Sequence, residues 1–314
     1  MGRKEDLMVN YYNCEKHFAD LLNGWIFHGK TQIHAGQIQD GNIRYTRKRH
    51  TIKSQALYRD ILKKIGDTQI RIIVGTELQT YVDYSMPVRT MDYDVGEYKI
   101  QIECIQNAFE RKNPKSVRFS AIEKEDRLIP TITLVLYLGE KPWDGARNLH
   151  EILNMERIPE DMRTYIADYP LHILDVCHTE DERLMEFPRD IACMFLILKY
   201  QKDKKQLKKI LENEKTFQNI SADTYETAWQ YTNDTAMLEK LEALENKEGE
   251  ISMCQAIREI MEDCRIEGLQ QGIRIFILDN QEEQIPRERI VLKLQRRFAL
   301  NEEEANSYYE QYAE

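Results

Sequence analysis

The stretch that most constrains this chain is RLIPTITLVLYLG, residues 127–139. It is a continuous apolar run, rich in β-branched residues and closed by Gly139, which is the pattern of a buried strand. A buried strand needs cover, and its neighbours supply it. MPVRTMDYDVGEYKIQIECIQNAFERK, residues 86–112, reads as a long helix with Pro87 in its first turn, where proline is tolerated. Before it, arms at 58–65 and 70–79 surround GDTQ, a turn signal, and read as a hairpin. PLHILDVC, residues 170–177, is a weaker strand candidate. Strand, helix, strand in this order predicts a mixed α/β sheet with helical cover.

The flanks are helical. EDLMVNYYNCEKHFADLLNGWIFHG places Phe18, Leu21, Leu22 and Trp25 at helical spacing and stops at Gly29, while residues 30–57 are irregular and polar. After about residue 180 the pattern predicts helices only: two amphipathic stretches at 189–213 and 222–246, a break at NKEGE, a helix beginning near Ile251, and a short helical pair through 286–309. KDKKQLKK at 202–209 is the polar face of such a helix. The organisation expected is an α/β core over residues 1–200 and a helical extension with a charged tail over 201–314.

Composition narrows the function classes. A hydrophobic fraction of 42% beside 31% charged residues suits a soluble globular chain, and no apolar run approaches the ~18 residues of a membrane helix. The N-terminus lacks an apolar signal core, so the expected location is cytoplasmic, with no membrane partner. The six cysteines are scattered without a CxxC, as in reduced thiols rather than a zinc site or disulfide framework. A net charge of -10 argues against a wholly basic nucleic-acid coat, but the distribution is uneven. Between positions 41 and 76 stand Arg44, Arg47, Lys48, Arg49, Lys53, Arg59, Lys63, Lys64 and Arg71 against only Asp60 and Asp67, nine minus two or +7, which leaves -17 elsewhere.

The hairpin carries the chemistry. With the turn at DTQI, residues whose numbers sum to 137 face one another, so Asp60 lies opposite Glu77. Side chains across such a pair sit about 5 Å apart at Cβ. Gln79, two residues on, shares Glu77's face. Two carboxylates that close, next to apolar sequence, repel unless compensated. A shared proton is one compensation, and a hard divalent cation is a better one, with the Leu78 carbonyl and waters completing its shell. The plainer alternatives are an exposed pair at a sheet end, or a pair neutralised by Arg71 or Lys64. A basic flank beside an acidic pocket is the pairing that phosphodiester chemistry uses, although a solvated charge run gives the same pattern.

RYT…YRDILKK…RIIVGTELQTYVDYSMPVRTMDYDVGEY, followed by LIPTITLVLYLGEKPWDGARNLHEIL, resembles the recombination-promoting nuclease / putative transposase family, a branch of the PD-(D/E)XK nuclease superfamily. The likeness runs from about Phe18 to about Tyr200, with the Asp, Glu-x-Gln, Met-Pro-x-Arg and Leu-Tyr-x-Gly…Trp-Asp in order. It implies a restriction-endonuclease-like mixed central sheet flanked by helices, here with an all-helical C-terminal extension. It implies Mg²⁺-dependent DNA cleavage, Mn²⁺ being an alternative cofactor, with Asp60, Glu77 and the Leu78 carbonyl as metal ligands and Gln79 positioning water. The superfamily's usual motif lysine is replaced by Gln79, which orients water but carries no charge. Arg89, at the start of the next helix, is the expected substitute at the phosphate, with a salt bridge to Asp83 or Asp92 as its alternative role; Tyr93 lies one turn further along. An acid on the first helix, Asp20 or Glu15, is a candidate to complete the site. DNA is the expected partner, met by Arg44, Arg47, Lys48, Arg49 and Lys53, and the C-terminal helices offer a surface for a homo-oligomer. The rival expectation is a catalytically inactive descendant that binds DNA or a protein.

Overall fold

A computed structural model of the chain describes residues 3–41, 44–47, 55–66, 71–113, 120–213, 217, 219–233, 238 and 250–313. They form two compact units, residues 1–251 and 252–314.

The first unit is built on a five-stranded mixed sheet. Its strands are β1 (Ile38–Asp40), β4 (Ile61–Gly66), β5 (Arg71–Gln79), β6 (Thr131–Tyr137) and β7 (His172–Asp175), in the spatial order β1-β4-β5-β6-β7. The β1–β4 and β4–β5 pairs are antiparallel, and the β5–β6 and β6–β7 pairs are parallel. The crossover between β5 and β6 is the helix α3 (Met86–Lys112), with the bounds and the early proline that the sequence predicts. Its residues Met86, Thr90, Tyr93, Asp94 and Glu97 recur at helical spacing and are buried on one sheet face. On the opposite face lies α1 (Arg3–Asn13), whose last carbonyl, Asn13 O, accepts a 2.7 Å bond from the buried Lys63 of β4. Covered on both sides, β5 and β6 have no exposed face, and this is why their sequences read as unbroken apolar runs instead of alternating.

Several expectations change. The N-terminal helical stretch is two helices, α1 and α2 (Glu15–Trp25), broken at Cys14, whose backbone is extended. The stretch read as irregular carries β1 and a separate two-stranded pair, β2 (Arg44–Arg47) with β3 (Gln55–Tyr58); short polar strands give no periodic signal. The stretch from 189 to 213 is also two helices, α6 (Arg189–Tyr200) and α7 (Lys204–Asn213). The helices-only pattern after residue 180 is interrupted by β8 (Ile220–Ser221) paired with β9 (Glu250–Ile251), where Ile220 and Ile251 face each other fully buried. Between them in sequence, α8 (Ala222–Thr232) packs on α1 and α6, and the Tyr11 and Thr224 hydroxyls meet at 2.8 Å.

The second unit is helical: α9 (Met253–Glu282), α10 (Arg287–Phe298) and α11 (Glu302–Tyr312). Its core is Ile273, Ile277, Ile290, Val291, Leu294 and Ala305. Asn301 opens α11 with a reciprocal capping box to Glu304. Among the described residues no helix is long and apolar enough to cross a membrane.

Candidate functional site

The β4–β5 register sets Ile61 opposite Thr76, Leu62 opposite Gly75 and Lys63 opposite Val74, the pairing that sums to 137. One step further the Glu77 carboxylate reaches the Asp60 backbone, and the Asp60 carboxylate reaches that of Leu78. The Asp60 amide donates to Glu77 Oε1 at 3.3 Å, and the Leu78 amide donates to Asp60 Oδ2 at 2.8 Å. Glu77 has 0% exposure. Its second oxygen accepts from Arg89 Nη2 at 2.7 Å, while Arg89 Nε donates to the Tyr93 hydroxyl at 2.9 Å and Nη1 lies 3.6 Å from Asp83 Oδ2. Arg89 therefore does form the expected ion pair with Asp83, and it also neutralises Glu77. Its side chain remains 30% exposed.

Burial dominates the electrostatics. It pushes the Glu77 carboxyl up to about 8, with the Asp60 charge adding to the shift and Arg89 opposing it. Burial also raises Asp60, against the pull of the Leu78 amide and Arg89. Gln79, on Glu77's face, is 4% exposed, and its amide oxygen is buried with no donor. Such an acceptor is one that a bound water or cation satisfies.

The acids of the first helical stretch are redistributed. Asp20 and Glu15 are on α2, and Asp20 feels Lys16 and Asp190 rather than the hairpin. Glu5 and Asp6 of α1 are the acids whose charge reaches Asp60, and Glu5 Oε1 accepts from the Thr80 hydroxyl at 2.7 Å. The break at Cys14 cannot be read from a single amphipathic pattern, which does not separate the acids of α1 from those of α2. A cleft of about 490 Å³ opens beside this contact, between Glu5, Thr80, Leu138 and Tyr231.

The basic flank divides. Arg59 is buried and donates to Asp94 Oδ1 at 2.7 Å; Lys63 is buried and donates to Asp40 at 2.5 Å. Both act inside the fold and not on a ligand surface. Asp94 also accepts from the Thr133 hydroxyl at 2.7 Å and from Tyr169. Arg44 and Arg47 lie on β2, whose backbone alone is described, and Lys48, Arg49 and Lys53 lie outside the described residues.

Fold and site together define a mixed α/β protein with an acidic pair, Glu77 buried and Asp60 half-buried, at the mouth of a sheet hairpin. The chain belongs to the family described as "Putative transposase, YhgA-like", whose model matches residues 53–228, more than half of the 314. The matched span holds Asp60, Glu77, Gln79 and Arg89 together with α3 and the four strands β4 to β7. No curated protein matches the chain. No solved structure matches it either.

Proposed function

We propose that this chain is a divalent-cation-dependent endodeoxyribonuclease of the recombination or mobile-element type. The observation that carries the reading is the pairing of buried Glu77 with half-buried Asp60, whose mutual repulsion and desolvation call for a positive partner beyond Arg89. Membership of a transposase-like family supports work on DNA. The strand order, with an antiparallel hairpin feeding a parallel crossover through α3, supports a restriction-endonuclease-like core.

Among the described residues no group of three or more His, Cys, Asp or Glu side chains gathers. This donor set suits Mg²⁺, or Mn²⁺, which takes one or two protein carboxylates and completes its shell with water and substrate phosphate. Asp60, Glu77 and the Leu78 carbonyl would hold it. Bound there, it supplies a Lewis acid at the scissile phosphate and an acidified water. Gln79 accepts from the attacking water through its amide oxygen. Arg89, oriented at Nε by Tyr93 and 30% exposed at its side chain, is assigned to the phosphate. Glu5 stands behind Asp60 on α1. Arg44, Arg47, Lys48, Arg49 and Lys53 are assigned to phosphates of the DNA backbone.

One observation favours a second reading, an inactive descendant that binds DNA or a protein: Arg89 already occupies Glu77 at 2.7 Å, and position 79 carries no lysine. The test is incubation of the purified protein with supercoiled plasmid, with single-stranded DNA and with branched DNA, each in Mg²⁺, in Mn²⁺ and in EDTA. Nicking or linearisation that EDTA abolishes is the expected result. Intact plasmid, single-stranded DNA and branched DNA in both metals would select the second reading.

A further inference from the structure

The segment that joins Gln79 to α3 has an unusual surface. Tyr81 and Tyr84 are each 61% exposed, and Val88, in the first turn of α3, is 42% exposed. Large aromatic side chains left this open cost hydration free energy and ordinarily turn inward. Here they are held outward. Val82 packs against the buried group of Met86, Val135, Tyr137, Trp143 and Leu171, which anchors the segment from below. Asp83 Oδ1 accepts from both the Ser85 amide at 2.9 Å and the Ser85 hydroxyl at 2.6 Å, fixing the turn. The Tyr84 hydroxyl donates to Asp144 at 3.1 Å. The segment is also tied to the acidic pair, because the Arg89 guanidinium that bonds Glu77 at 2.7 Å lies 3.6 Å from Asp83. One guanidinium thus separates the aromatic rim from Glu77.

The cation of this segment, Arg89, is already held by Glu77 and Asp83, and the groups that the segment's other polar contacts reach, Asp144 and, beyond Thr80, Glu5, are acidic. Phosphates arriving here gain nothing from these charges, and a duplex, with two phosphate strands, gains least. What the rim offers is π-surface, and stacking of a base on an aromatic ring does not depend on the charge of the backbone. Bases of a duplex have their faces already stacked; bases of an unpaired strand do not.

We propose that Tyr81 and Tyr84 form a stacking platform for unpaired bases next to the scissile phosphate, so that the substrate class of the Asp60–Glu77 site is single-stranded DNA or single-stranded segments of branched or gapped DNA. This rests on the nuclease reading above for the identity of the ligand, and on the exposed tyrosines for its strandedness.

The test is fluorescence anisotropy in EDTA, where no cleavage is needed, with a short single-stranded oligonucleotide, the duplex of the same sequence, and an abasic strand of the same length. Wild type is expected to bind the single strand more tightly than either of the other two. Tyr81→Ala and Tyr84→Ala should each weaken single-strand binding about fivefold or more and leave the abasic strand unchanged. Tyr81→Trp and Tyr84→Trp should restore it, which separates stacking from loss of fold. Single-strand binding that survives the double alanine variant, or a preference for duplex, overturns the inference. If plasmid is cleaved but binding ignores the tyrosines, this inference falls and the nuclease reading stands. If tyrosine-dependent binding occurs with no cleavage of plasmid, single-stranded or branched DNA in either metal, the platform stands and the nuclease reading falls.

Discussion

Two arginine–carboxylate pairs stand on the same face of the same sheet, both reaching a residue of α3, and they differ in how they are closed. Arg59 and Asp94 are 5% and 4% exposed at their side chains, and Asp94 is further bonded by Thr133 and Tyr169. Arg59 lies over Gly75, where an added Cβ would sit 2.8 Å from its Nη1 and 2.9 Å from its Cδ. The glycine in the middle of a central strand is there to admit the guanidinium. The Glu77–Arg89 pair is different. Its carboxylate is fully buried, its arginine is 30% exposed, and a second carboxylate, Asp60, presses on it. The first pair is balanced in charge within the protein, with only Arg59 Nη1 buried and lacking a partner among the described residues, and acts as a fastener between sheet and helix. The second sets two acids against one arginine at a solvent-reachable end, with the Glu77 carboxyl pushed up to about 8, and a group so perturbed is a candidate for a functional site.

The largest effect should fall on activity. Asp60→Ala and Glu77→Ala are each expected to lower metal-dependent cleavage by roughly a hundredfold to a thousandfold or more, since either change removes charge from the place where the transition state needs it. Both proteins should keep wild-type circular dichroism. A variant that cleaves near the wild-type rate removes the site from the hairpin. The fastener should respond in the opposite way. Asp94→Ala leaves Arg59 charged and buried without its partner, a loss of about 3–5 kcal/mol of stability. Urea denaturation of this variant is the measurement, and a midpoint equal to wild type would erase the distinction between the two pairs.

Smaller changes sharpen it. Gly75→Ala should cost about 1–3 kcal/mol, because Arg59 is pinned by Asp94 and cannot move aside freely. In an Arg59→Ala background the alanine at 75 should cost far less, a coupling that a double-mutant cycle reads directly. The smallest effect is pH-dependent and belongs to the site. Folding raises the Glu77 carboxyl from 4.5 to about 8, so between those values the folded chain holds a proton that the unfolded chain has released. Stability therefore falls as pH rises through that window. Glu77→Gln stays neutral throughout, and its melting temperature relative to wild type should climb from pH 5 to pH 8 and then level off. Discounting the shift to about 1–2 kcal/mol gives roughly 2–8 °C for a unit of this size. A melting difference that is flat with pH would show that Arg89 alone neutralises Glu77.

What could be read along the chain were features encoded locally. α3 was legible because Pro87 and a helical spacing of buried residues mark it residue by residue. The β4–β5 register was legible because an antiparallel hairpin with a short turn has a register set by arithmetic, and the structure keeps it over Ile61–Thr76 to Gly66–Arg71, with Asp60 and Glu77 one step beyond the ladder. The strand at 131–137 announced its own burial through composition. The remainder depended on contacts across long sequence separations. That Arg59 and Lys63 are structural rather than part of a ligand-facing basic surface follows from partners at Asp94 and Asn13, 35 and 50 residues away. That Glu5, not Asp20 or Glu15, stands by the site follows from a helix break at Cys14 and from the packing of α1 beside β5. That the first unit closes at residue 251 follows from Ile220 meeting Ile251 in two strands too short to leave a pattern. The sequence by itself determined the acidic hairpin and the helix that follows it, because both are written within short range. Only the tertiary structure decided which charges are neutralised inside and which are left facing solvent, because a charge's role is set by the dielectric and the partners that folding brings to it.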